Sequence, residues 1–233
     1  MTSQTQQHGE PVIALLSGGL DSAVSLVKLE ADPRYHVLRA VMIDYGQRAF
    51  LQERKASSSL AQYYGIPYQV LTLDWLKEVL PEGLKVDSDI DSPTEIYQVW
   101  VPNRNGLFLN IAAAMAEAYG AKYVSFGANV DEAQAGFPDN GVPFYESLNE
   151  TLKYSTLNGV QVMAPVGDLT KIEIAQLGKS LALPFKYVWS CYEAGDVHCG
   201  KCASCQHLKR AAKSVGLPIA FADDTPLPVV TTP

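Results

Sequence analysis

Short apolar runs alternate with stretches in which apolar residues recur every three or four positions, a pattern that predicts parallel strands joined by crossover helices. Residues 12–16 read as the first strand, and Ala23, Leu26 and Val27 give the following helix one apolar face. A second strand covers 37–43, where nearly unbroken β-branched and apolar character suits a sheet covered on both sides. The helix expected over 49–64 stops at Gly65 and Pro67, and 68–73 supplies the third strand. Leu107, Ile111, Ala114, Met115 and Ala118 then repeat at helical spacing, 122–127 reads as a strand, 144–157 as a helix and 160–164 as a strand. Thr170-Lys171-Ile172-Glu173 is a capping box that opens a further helix.

Between 75 and 101 the periodicity fades among Pro81, Gly83, Ser92, Pro93 and a group of acidic residues, which reads as a surface insertion, either a site cover or irregular chain. The expected fold is therefore α/β, an open, mostly parallel sheet with helices on both faces over 11–188. A small cysteine-bearing knob over 189–215 packs on it, and 1–10 and 217–233 are expected as flexible tails.

Composition narrows the function. A chain of 233 residues, 47% of them hydrophobic, can bury one full core. It contains no apolar run of about 18 residues and starts with a polar stretch, so neither a membrane span nor a secretory signal is expected, and the setting is cytoplasmic. The formal net charge of −7, with dispersed basic residues, disfavours a large nucleic-acid interface and suits a small substrate better.

Candidate chemistry begins at Ser17-Gly18-Gly19-Leu20-Asp21-Ser22, directly between the first strand and the first helix. Glycines allow a tight turn and close approach of an anion, while the serines add hydroxyls beside the free N–H groups of a helix start. The same residues also make an ordinary strand-to-helix turn. The hexapeptide resembles the signature of N-type ATP pyrophosphatases, and the Walker spacing is absent. Polar segments follow other strands at 44–48, 129–132 and 168–171, where ligands of open parallel sheets bind. Arg104 and Lys171 each precede or open a helix; either could meet a phosphate or carboxylate, and either could equally face water.

All four cysteines, Cys191, Cys199, Cys202 and Cys205, fall in the spacing C-x7-C-x2-C-x2-C. Four thiolates in one loop can close a tetrahedral zinc shell, with Gly200 making the turn between ligands. Two disulfides, an iron–sulfur cluster or a redox C-x-x-C pair compete with this reading, and His198 and His207 lie near enough to replace a cysteine.

The glycine loop, Asp44-Tyr45-Gly46-Gln47-Arg48, Val101-Pro102-Asn103-Arg104-Asn105, Phe137-Pro138-Asp139, Trp189-Ser190-Cys191-Tyr192 and Cys199-Gly200-Lys201-Cys202-Ala203-Ser204-Cys205 together resemble the 7-cyano-7-deazaguanine synthase family of queuosine precursor biosynthesis. The resemblance runs in order from about 12 to 210. It implies an adenine nucleotide α-hydrolase-like fold and an ATP-dependent carbon–nitrogen ligase that joins 7-carboxy-7-deazaguanine and ammonia through an adenylated carboxylate and then an adenylated amide.

By the same resemblance Ala14, Leu15, Leu16, Ser17, Gly18, Gly19, Leu20, Asp21, Ser22, Ala23, Val24 and Asp44 belong to the ATP site, with Asp21 near Mg²⁺. Asp21, Arg104 and Lys171 become the catalytic candidates, and Arg104, Asn105, Asp131, Glu132, Phe137 and Asp139 the substrate contacts. Cys191, Cys199, Cys202 and Cys205 would hold one structural Zn²⁺ per chain, and a homodimer is a family expectation. No glutaminase segment is evident, so nitrogen would come as free ammonia or from a partner. One departure stands out: Phe137-Pro138-Asp139-Asn140-Gly141 replaces the family's common Tyr-Pro-Asp-Cys-Arg, which alters the contacts expected to recognise the base. The rival readings are a superfamily relative that adenylates a tRNA base or a related 7-deazapurine, and a non-catalytic nucleotide-binding zinc module.

Overall fold

A computed structural model of the chain describes residues 9–76 and 100–224. The strands β1 (Glu10–Leu15), β2 (Tyr35–Asp44), β3 (Tyr68–Thr72), β4 (Tyr123–Ser125) and β5 (Gln161–Met163) form one sheet in the order β3-β2-β1-β4-β5. Every pairing is parallel. From β1 the chain builds outward one way to β2 and β3, then returns to place β4 and β5 on the other side. The order therefore reverses between β1 and β4, and the crevice beyond their carboxyl ends is where ligands of such sheets settle.

Alternation along β1 divides the core into two layers. Val12 and Ala14 pack against α1 (Leu20–Glu30), α2 (Phe50–Tyr64), α6 (Lys171–Ser180) and α7 (Ala203–Val215), through residues such as Leu26, Leu60, Ile174 and Leu208. Ile13 faces the opposite way, with Val41, onto α3 (Arg104–Ala118) and α5 (Val142–Ser155) through Leu109, Ala113 and Leu152. Because both faces are covered, these strands carry no polar side, which explains their continuous apolar runs.

The elements expected from periodicity are present, with shifted ends. Strands β4 and β5 are three residues each, shorter than the expected runs, because pairing ends where the chain turns into the crevice. A five-residue helix, α4 (Val130–Gln134), lies in a polar segment too short for periodicity to register. Glu10, placed in the amino-terminal tail by sequence, pairs with Tyr35 in β1. From 217 to 224 the chain packs back, with Phe221 4% exposed and tilted against His198, and Lys209 bridging Asp223 and Asp224. The expected insertion at 75–101 lies almost wholly outside the described residues, as do 1–8 and 225–233.

Candidate active site

The loop between β1 and α1 turns on Gly18, the residue of the loop with a left-handed backbone, at φ +86°. A Cβ there would lie 2.6 Å from Ala56 Cβ and 2.9 Å from Ser57 N, so α2 packs where any larger residue would need room. Gly19, at φ −68°, is the N-cap of α1 and offers no side chain to its free N–H groups. Ser17 Oγ accepts from Gly19 N at 3.3 Å and lies 3.1 Å from Ser22 Oγ. Two hydroxyls and the amino end of α1 thus converge on one opening.

One helical position inward, Asp21 Oδ2 accepts from Lys171 Nζ at 2.6 Å and from Asn129 Nδ2 at 3.0 Å. Lys171 comes from the first turn of α6, which is fixed by the expected capping box at Thr170 and Glu173. Asp131 Oδ2 also accepts from the Lys171 backbone N–H at 2.8 Å, and Glu132 Oε1 accepts from Lys171 Nζ at 3.2 Å. Asn129, fully buried, caps α4 by accepting from Glu132 N. This pairing is set by the sheet: β4, beside β1, leads into Asn129, and β5, beside β4, leads into Lys171, so both segments follow carboxyl ends on one side of β1.

Charge in this cluster is unbalanced. Burial works against the Lys171 ammonium, but Asp21 and Glu132 outweigh it and hold its pKa above the usual lysine range. Glu132 is 40% exposed; partial desolvation works against its charge, yet Lys171 and the Asn129 and Lys171 hydrogen bonds keep its carboxyl below its ordinary value. Asp21 moves the other way, pushed up chiefly by burial, with Lys171 opposing and Glu132 adding to the rise. One ammonium does not neutralise two carboxylates, and Asp21 Oδ1 is buried with no hydrogen-bond partner. An oxygen of this kind beside an anion cradle fits a Mg²⁺ ion arriving with phosphates.

These groups open into a cavity of about 670 Å³. Of the expected nucleotide residues, Leu15, Leu16, Ser17, Gly19, Leu20, Asp21 and Ser22 line it. Ala14, Ala23 and Val24 lie in the core, and Asp44 Oδ1 accepts from Gly46 N, which ties the turn after β2. Arg104, Asn105, Asp131, Glu132, Phe137 and Lys171 also line the cavity. Asp139 does not. Its carboxylate accepts from Asn105 N and its backbone carbonyl from Asn105 Nδ2, so it braces the start of α3, while its neighbour Asn140 reaches the wall.

Arg104 donates to the Tyr45 hydroxyl at 3.2 Å, and Tyr45 packs on Phe108 with ring centroids 5.3 Å apart. A guanidinium held by a neutral phenol keeps its charge available for an anionic ligand. Tyr45, Glu53, Ser190, Tyr192 and His207 are among the further residues of the wall, none of them named individually as a substrate contact from sequence. Tyr45 and the buried Asn129 did carry a signal, since both lie in the polar segments 44–48 and 129–132 that follow strands.

The four cysteine Sγ atoms lie within 4.8 Å of one another, and none forms a disulfide. Tetrahedral zinc–thiolate geometry places sulfurs about 3.8 Å apart, and Cys199 and Cys205 are separated by 3.8 Å. Backbone N–H groups already point at the sulfurs: Glu193 and Cys199 donate to Cys191, Lys201 and Cys202 to Cys199, and Cys205 to Cys202. Gly200, at φ +77°, makes the turn between ligands, as expected. The cluster can hold a metal ion. The knob that carries it forms one side of the cavity through Ser190, Tyr192, Ser204 and His207.

Comparison with known proteins shows the family. Residues 11–216 match the family described as queuosine biosynthesis protein QueC. A 7-cyano-7-deazaguanine synthase from Carboxydothermus hydrogenoformans is 45% identical over 87% of this chain and 98% of its own length. One from Bdellovibrio bacteriovorus is 42% identical over 91% and 97%, and one from Methanosarcina mazei 38% over 88% and 94%. Among solved structures, the U34-tRNA thiolase NcsA from Methanococcus maripaludis with its [4Fe-4S] cluster superposes with a TM-score of 0.52, covering 100% of this chain and 81% of that one. At 17% identity that likeness speaks to the fold alone, an α/β fold with an open parallel sheet and helices on both faces, as expected from sequence.

Proposed function

The chain belongs to the family of queuosine biosynthesis protein QueC, and from that membership we propose that it is itself a 7-cyano-7-deazaguanine synthase, converting 7-carboxy-7-deazaguanine and ammonia to the nitrile at the expense of ATP. The observation that carries this reading is that the anion loop, the Asp21–Lys171 pair and Arg104 open into one cavity. A nucleotide and a second purine-sized ligand can therefore meet there.

A carboxylate is a poor electrophile because oxide is a poor leaving group. Attack of a carboxylate oxygen on the α-phosphorus of ATP expels pyrophosphate and converts that oxygen into part of a leaving AMP. Ammonia then displaces AMP to give the amide. The amide oxygen is adenylated in the same way, and loss of AMP with two N–H protons leaves the C≡N bond. In each round Ser17, Ser22 and the N–H groups at the start of α1 hold the departing pyrophosphate, with Lys171 offsetting its charge. Arg104 orients the carboxylate by paired hydrogen bonds. Mg²⁺, when bound at Asp21, neutralises phosphate charge.

Cys191, Cys199, Cys202 and Cys205 are assigned to a structural zinc ion. Four protein ligands leave no open position for substrate, and sulfurs this close suit one ion better than a four-iron cubane, whose ligands stand outside a cluster several ångströms wide. Four reduced cysteines fit a cytoplasmic setting. No helix among the described residues is long and apolar enough to cross a membrane.

Oxygen labelling tests the chemistry. With ¹⁸O in both carboxylate oxygens of 7-carboxy-7-deazaguanine, each adenylation should deliver one label to AMP. Unlabelled AMP beside nitrile would reject adenylation of the substrate, and AMP released only when tRNA is added would favour the tRNA-modifying rival.

A further inference from the structure

The metal-bearing knob is joined to the anion loop at the two places that set its shape. Trp189 N donates to Gly18 O at 2.9 Å, at the left-handed residue of the turn. Ser190 Oγ accepts from Leu20 N at 3.2 Å, across 170 positions of sequence. Leu20 N is the first free N–H of α1, and the N-cap residue Gly19 has no side chain to receive it. Ser190 is held in turn. Its backbone N–H donates to His198 Nε2 at 3.3 Å, the His198 ring stacks on Trp189 at 4.6 Å, and the next residue is Cys191, whose carbonyl accepts from Trp189 Nε1.

We propose that Ser190 is a positioning residue that caps α1 from the knob, so that nucleotide affinity depends on the four-cysteine shell being loaded. The proposal rests on the nucleotide reading of the loop given above. A hydroxyl that accepts from Leu20 N keeps its own proton for an oxygen in the cavity, which Ser190 lines. Loading the shell fixes Cys191 and hence the adjacent Ser190, and the amino end of α1 meets the ligand in a set orientation. Unloading it frees the residue that caps the helix while the sheet remains intact.

The test compares the full-length wild-type chain with Ser190→Ala and Ser190→Thr. Calorimetric affinity for α,β-methylene-ATP with Mg²⁺, zinc content and thermal midpoint are measured on each. Ser190→Ala should keep its zinc and its fold, with the midpoint lowered by only the few degrees that one lost N-cap costs, but bind the analogue about fivefold more weakly, and Ser190→Thr should regain most of the affinity. Stripping zinc from the wild type should weaken binding at least as much. Wild-type affinity in zinc-loaded Ser190→Ala overturns the proposal, as does loss of zinc or of the fold in that variant, which would make Ser190 a residue of the knob alone. Unchanged affinity in the stripped wild type overturns it too. If the loaded wild type binds no analogue, the nucleotide reading itself fails.

Discussion

Lys171 Nζ lies 2.6 Å from Asp21 Oδ2, joining residues 150 positions apart at the start of α6 and the start of α1. Both side chains are mostly buried, at 14% and 13% exposure. Lys171 is therefore the counter-ion that makes the buried Asp21 tolerable, and in the proposed reaction it is also the cation beside the phosphates. Lys171→Met should remove turnover by a factor of about 1,000 and destabilise the nucleotide-free chain by about 3 kcal/mol, since it strands the buried Asp21 carboxylate. Urea titration and steady-state rates check the two parts separately. An inactive variant of wild-type stability would mean that the pair does not hold the fold.

Gly18 is constrained by both conformation and space. In Gly18→Ala the new methyl must occupy a left-handed backbone and press on Ala56, at a cost of about 2 kcal/mol. The loop should shift, lowering both the thermal midpoint and nucleotide affinity. A variant with a normal midpoint and normal affinity would show that the turn tolerates a side chain.

Glu53 faces the cavity, and burial raises its carboxyl above the ordinary value, with the Gln47 hydrogen bond and Arg104 opposing. Above its unfolded value of 4.5, the folded state holds the proton more tightly than the unfolded one, so stability falls as pH rises through that window. Glu53→Gln keeps an acceptor for Gln47 and removes the buried charge. It should melt higher than wild type at pH about 7.5, and the difference should shrink as pH approaches the ordinary carboxylate range. A difference that is independent of pH would assign the effect to packing.

Cys202 belongs to the four-cysteine cluster and caps α7, where its sulfur accepts from Cys205 N. Cys202→Ser should release zinc, as measured by metal analysis, and lower stability by about 3 kcal/mol or more, because ligand binding and folding are linked. A zinc-free variant that is stable and active would contradict the structural assignment.

What was legible in the sequence is what neighbours in the chain determine. Strands between buried layers, the glycine loop and the cysteine spacing are each contained in one short segment, so residue pattern and local geometry identify them together. Contacts made by topology were not legible. Asn129 reaches Asp21 because parallel strands end side by side, and Arg104 reaches Tyr45 and Ser190 reaches Leu20 because helix start and knob are folded back over those ends. Asp139 read as a substrate contact, yet the start of α3 takes its carboxylate. The segment after 217 looked like a tail because nothing local shows that Phe221 will find His198.

Reconstitution tests the central claim most directly. Purified protein is incubated with ATP, Mg²⁺, ammonium and 7-carboxy-7-deazaguanine, and products are followed by mass spectrometry. The account predicts amide, then 7-cyano-7-deazaguanine, with AMP released at each of the two activations and no ADP. Nitrile absent while ATP is left intact, or cleaved to ADP, would contradict it.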